Sequence, residues 1–129
     1  GLGDVYKRQG VIRAKGHFWI ATRPEWVAEF SLAGSLSSVQ PIGTWWASVP
    51  KERWPDHVST SDYILSHWQE PWGDRRQELV FIGADIDWAA LKAKLDACLV
   101  PAVLAADLNA LPLDMPDPFP GWRRVEDAA

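Results

Sequence analysis

Residues 75–99 read Arg75-Arg76-Gln77-Glu78-Leu79-Val80-Phe81-Ile82-Gly83, then Ala84-Asp85-Ile86-Asp87, then Trp88-Ala89-Ala90-Leu91-Lys92-Ala93-Lys94-Leu95-Asp96-Ala97-Cys98-Leu99. The apolar run Leu79–Ile82, stopped by glycine, is the strongest strand signal in the chain, and its continuity predicts cover on both faces. Asp85 and Asp87 supply the helix start, as caps rather than as a cation pair. Trp88, Leu91, Leu95, Cys98 and Leu99 then recur at helical spacing, with Lys92, Lys94 and Asp96 on the other side, until Pro101. The unit is therefore a strand followed by an amphipathic helix.

Upstream the pattern changes to successive strands. Val11–Thr22 is rich in β-branched and aromatic residues, Gly16 marks a bulge, and Arg23-Pro24 ends the run. Trp26, Ala28, Phe30 and Leu32 share a face at period two, and Gly34-Ser35 is a turn. Leu36–Gln40 continues as strand, Pro41-Ile42-Gly43 interrupts, and Thr44–Val49 returns to strand. Adjacent Trp45 and Trp46 then point to opposite faces. Ser59-Thr60-Ser61-Asp62 offers a cap for a short helix carrying Tyr63, Ile64, Trp68 and His67. Strands joined without crossover helices predict an α+β fold: an antiparallel sheet of about four strands, helices on one face, ferredoxin-like in general style.

The 129 residues suit one domain, with 47% hydrophobic and 23% charged residues. No apolar run reaches the length of a membrane helix, and no signal segment opens the chain. A single cysteine, Cys98, rules out an internal disulfide framework and fits a reducing, cytoplasmic compartment. Net charge is -4 and the basic pairs are only Arg75-Arg76 and Arg123-Arg124, so no nucleic-acid surface is expected. Nine tryptophans point to packing and interfaces. Residues 1–9 resemble a translated sequencing adapter and are set aside from the domain at 10–100. Residues 101–129 form a proline-rich extended tail, packed on the domain by Phe119 and Trp122.

Catalytic signatures are missing from the sequence. There is no phosphate loop, no paired-cysteine motif and no zinc-protease motif. Cys98 reads as a core residue of the helix stripe, and His17 as a packed strand histidine rather than a ligand. His57 and His67 are spaced for no local zinc pattern. Asp107, Asp114 and Asp117 read as solubilising charge. Arg75-Arg76-Gln77-Glu78 leaves two readings open. These side chains form ion pairs with a neighbouring strand, for instance with Glu29, or they face another domain.

Residues 73–83, the segments 11–16 and 18–22, the Trp45-Trp46 pair, residues 95–99 and Asp117-Pro118-Phe119-Pro120-Gly121-Trp122 together resemble the C-terminal domain of CobW-type metallochaperone GTPases, in order and spacing across residues 10–122. The resemblance implies an interaction or regulatory domain of a GTP-dependent metal chaperone in zinc homeostasis or cobalt insertion. The P-loop and the cysteine-rich metal motif would lie in an N-terminal GTPase domain. Catalytic, cofactor and metal residues are therefore expected to be none here, and GTP, Mg and Zn or Co belong to the parent. The helix preceding Arg13 in the family is expected to be cut off. Implied partners are the GTPase domain in cis and a client metalloprotein, contacted through Arg75, Arg76, Glu78, Trp45 and Trp46. A membrane is not expected as a partner. Two other readings stand beside this one. The first is a small enzyme or binding domain with a pocket lined by Trp19, Trp45, Trp46 and Trp72. The second is a homo-oligomer formed through a sheet edge.

Overall fold

A computed structural model describes residues 10–100 and 117–123. The expected adapter segment 1–9 and most of the tail, 101–116 and 124–129, lie outside the described residues. Four strands form one antiparallel sheet: β1 (Val11–Ile20), β2 (Arg23–Ala33), β3 (Leu36–Thr44) and β4 (Glu78–Gly83), in the order β3-β2-β1-β4. Two helices complete it, α1 (Val58–Ser66) and α2 (Trp88–Ala97). The α+β architecture expected from the strand run is the one observed.

The hairpins explain the sheet. Ala33 pairs with Leu36 across Gly34-Ser35, and Gly34 takes the positive φ of 61° that this tight turn requires. Ile20 pairs with Arg23, so β1 and β2 turn within two residues. β4 returns to pair with β1, placing His17 opposite Glu78 and Gly16 opposite Leu79. Gly16 is not a bulge, as the sequence suggested; the register shifts lie between Phe18 and Ile20 and between Val11 and Arg13. Its role is close approach, because a Cβ there would run into the Glu78 carbonyl oxygen.

One sheet face is the core. Ala14, Phe30 and Leu32 point into it with Val11, and Leu91 of α2 closes it from above. Phe18, Val39, Leu79, Phe81, Ile86 and Leu95 pack around this centre. Asp87 caps α2, its carboxylate accepting from the Ala90 N–H at 3.1 Å. Asp85, at φ 52°, belongs to the turn before the helix.

Several local expectations are corrected. β4 is an edge strand with one face inward, so Val80 and Ile82 are 63% and 61% exposed rather than covered. The α2 stripe narrows to Leu91 and Leu95. Trp88 and Leu99 are exposed, and so is Cys98, which follows the last helical residue and turns its thiol to the Lys94 carbonyl. Pro41 does not break β3, which runs through to Thr44. An edge strand tolerates the missing N–H, and the register with β2 shifts between Val27 and Ala28 opposite it. Thr44–Val49 is not a further strand, because the chain leaves the sheet after Thr44 and Trp46–Ser48 closes a 3-10 turn. The cap of α1 is His57, not Ser59–Asp62: its Nδ1 accepts from the Ser59 N–H at 3.3 Å.

Candidate functional site

Strand alternation leaves Arg13, Lys15, His17, Glu78, Val80 and Ile82 on the face opposite the core. An open depression there is lined by Arg13, Lys15, Ser31, Ala33, Val80 and Ile82, among others; no tryptophan contributes. At the Glu78 end of this face the expected contact residues come together.

Asp74 is the hinge of that assembly. It is 4% exposed, and its two carboxylate oxygens accept from the Trp46 N–H at 2.9 Å and the Ala47 N–H at 2.8 Å. Those are the otherwise orphaned donors that open the 3-10 turn. The Asp therefore fixes Trp45 and Trp46 relative to the start of β4. Gly73 before it has φ 71°, and a Cβ there would also press on Ala47 and Trp68.

Arg75 is committed within the domain. Its Nε donates to the Pro24 carbonyl at 2.6 Å, and its two terminal nitrogens donate to the Trp72 carbonyl at 3.0 Å and to Ser48 Oγ at 2.7 Å. Burial lowers its pKa from the ordinary guanidinium value, against the opposing charges of Asp74 and Glu25. It is an internal strut joining β2, the 3-10 turn and the loop before β4.

Arg76 and Glu78 face outward. Arg76 Nε meets Glu78 Oε1 at 2.6 Å; its other nitrogens donate to the Asp74 carbonyl at 2.9 Å and to the Tyr63 hydroxyl at 3.3 Å. Burial works against its charge, but the hydrogen bonds and charges of Glu78 and Tyr63 together raise its pKa. The Arg76 hydrogen bond holds Glu78 below the usual carboxylate range, opposed by slight burial and helped by the charges of Arg76, His17 and His67. His17 Nε2 lies 3.4 Å from Glu78 and His67 Nδ1 4.0 Å, ion pairs only when these rings are protonated. Glu29, the expected ion-pair partner, meets Gln40 instead, at 3.5 Å.

The tryptophans divide in the same way. Trp45 is 3% exposed beneath His17, with ring centroids 5.9 Å apart, and beneath the Arg76 guanidinium, also at 5.9 Å. Its Nε1–H is buried with no hydrogen-bond partner among the described residues. Trp46 is half-buried and packs edge-on against Trp54, which in turn meets Trp68.

A second polar assembly lies at the β1–β2 turn. Arg23 grips Asp117 through two nitrogens, Nε to Oδ2 at 2.8 Å and a terminal nitrogen to Oδ1 at 2.9 Å. It also donates to the Phe119 and Pro120 carbonyls, and its guanidinium lies 4.6 Å from the Trp122 ring. Thr22 donates to the same carboxylate at 2.5 Å, and Trp26 meets Trp122 edge-on at 6.1 Å. Hydrogen bonds from Arg23 and Thr22 lower the Asp117 pKa from 3.8 to about 2. Asp117 is thus a structural anchor and not merely solubilising charge.

The sequence singled out Trp45, Trp46, Arg75, Arg76 and Glu78 as contact residues, and the structure places them around Asp74 and the start of β4. Sequence reasoning missed Asp74, read only as part of a turn, and the Arg23–Asp117 pair, which no local spacing announces. The His17–Glu78 contact was accessible from pairing register alone.

Comparison with known proteins now adds the family. A zinc-regulated GTPase metalloprotein activator 1 from Dictyostelium discoideum is 38% identical over 92 residues, covering 70% of this chain and 19% of that protein. The chain thus spans about a fifth of the curated relative's length. No solved structure matches. The model of the cobalamin synthesis protein CobW C-terminal domain matches residues 2–99, and on that match the chain belongs to the CobW C-terminal domain family.

Proposed function

We propose that this chain is the interaction domain of a GTP-dependent metal chaperone, and that Arg76 and Glu78, with Trp45 beneath them, form the surface it presents to the GTPase domain or to a client metalloprotein. The family match over residues 2–99 carries the reading. The name of the Dictyostelium relative favours zinc over cobalt as the metal. A cytoplasmic setting goes with it, and no helix among the described residues is long and apolar enough to cross a membrane.

Among the described residues no three His, Cys, Asp or Glu side chains converge as a metal site. The contribution we assign to this chain is a shaped, charged surface. Arg75, which bridges β2, the 3-10 turn and the loop before β4, shapes that surface; Glu78 and the partly exposed Arg76 are its charges.

The test uses the parent protein carrying both Arg76→Glu and Glu78→Arg. The expected result is unchanged folding by circular dichroism with loss of zinc-dependent GTP turnover or of client activation. If both activities match the unmodified parent, the assignment of this surface is wrong. A companion measurement is direct: the chain alone should show no GTP binding at micromolar nucleotide, and saturable binding there would overturn the division of labour.

A further inference from the structure

The grip on residues 117–122 has the composition of a ligand site. A strand-to-strand turn contributes a bidentate guanidinium and a hydroxyl to one carboxylate, and the same guanidinium donates to two backbone carbonyls. Its face then stacks on an indole that a second indole, Trp26, bounds at the edge. The bound stretch, Asp117-Pro118-Phe119-Pro120-Gly121-Trp122, contains no helix or strand. Its carboxylate also accepts from the Phe119 N–H at 3.0 Å, so the peptide braces its own bend. Two prolines limit its freedom before binding, which lowers the entropy lost on docking.

The segment is distant in sequence from what holds it. Partners are separated by 94 to 97 residues. Nothing in the β1–β2 turn depends on chain continuity with the peptide. The backbone hydrogen bonds of the hairpin are made by β1 and β2 themselves, and among the described residues Thr22, Arg23 and Trp26 hold the peptide through their side chains. A site built this way reads a short linear sequence.

We propose that the β1–β2 turn, through Thr22, Arg23 and Trp26, is a peptide-recognition site for an Asp-Pro-aromatic-Pro-Gly-Trp sequence, occupied in cis by residues 117–122 and open to the same sequence in trans. The chemical class of the ligand is a proline-rich peptide with one carboxylate and a tryptophan five positions after it. The site stands on the side chains of this chain and does not depend on the chaperone reading.

The test is a fluorescein-labelled peptide of residues 114–123, titrated with the full chain carrying Asp117→Ala and Trp122→Ala to free the site. Saturable binding is expected. It should weaken about tenfold or more when Arg23→Gln is added to the chain, or when Asp117→Asn is made in the peptide, the change that follows from losing charge-assisted hydrogen bonds. Absence of binding at millimolar peptide, or binding indifferent to both changes, overturns the proposal. If the doubly substituted chain does not fold, the chain carrying Asp117→Asn alone, which loosens the cis segment, is mixed with a spin-labelled copy of the peptide. Broadening of the Thr22 and Arg23 amide signals is then the supporting result, and unbroadened signals overturn the proposal.

Discussion

Two carboxylates organise the two polar assemblies, and they do so in opposite ways. Asp74 is buried and receives backbone N–H groups from a turn 27 and 28 residues earlier in the chain. Asp117 is partly exposed and, besides its own Phe119 N–H, receives side chains, chiefly one arginine, from the far end of the sequence. A carboxylate that satisfies backbone donors becomes part of the frame, because its removal leaves part-buried N–H groups without that partner. A carboxylate held by a guanidinium leaves, on release, two groups that water can solvate. The difference separates a joint that defines the domain from one that attaches something to it.

The comparison breaks most visibly at Asp74. Asp74→Ala should destabilise the domain by about 2–3 kcal/mol, since each of two part-buried N–H groups left unpaired costs roughly 1–3 kcal/mol at full burial. Urea unfolding measures it, and a loss near zero would remove Asp74 from the frame. Arg75→Ala should follow at about 2 kcal/mol, because the Pro24 and Trp72 carbonyls and Ser48 lose their donor. Arg23→Gln should cost only about 1 kcal/mol, the scale of a good surface ion pair, while exposing Trp122 to quenchers.

Acid sharpens the contrast. The Asp117 carboxyl has its pKa depressed in the folded chain, so its contribution is present above the unfolded value of 3.8 and is lost as pH falls toward about 2. Glu78 is shifted in the same direction, by Arg76, and its contribution fades with the same sign. Stability measured between those pH values should therefore decline with acid, and Asp117→Asn should flatten that decline. The smallest effect is expected on α2, where Lys92 and Asp96 pair at 2.6 Å on an exposed helix face. Lys92→Ala should change stability by about 0.3–0.5 kcal/mol and neither assembly at all.

Much of the sheet was legible because period-two alternation and turn residues are local signals. Trp26, Ala28, Phe30 and Leu32 sit on one strand, Gly34-Ser35 is its turn, and Asp87 caps the helix that follows. What was not legible depends on neighbours. The run Leu79–Ile82 looks the same in a sheet covered on both faces as in one covered on one; here Leu79 and Phe81 pack on the core and Val80 and Ile82 are exposed on the opposite face. Pro41 reads as a breaker until its strand is known to be outermost. For the site, the cluster at residues 75–78 stood out by charge. Its division into an inward Arg75 and an outward Arg76 needed the positions of Pro24, Ser48 and Tyr63. Asp117 needed Arg23, and no window of sequence contains both.

The row Trp46, Trp54 and Trp68 has an optical consequence. Ring centroids 6.4 and 5.7 Å apart bring the indole transitions within coupling range, at tilts of 69° and 58° that favour rotational strength. The end of the molecule that holds Arg76 and Glu78 therefore carries its own chromophore. Ellipticity from coupled indoles would follow the assembly of that end separately from the backbone signal of the sheet.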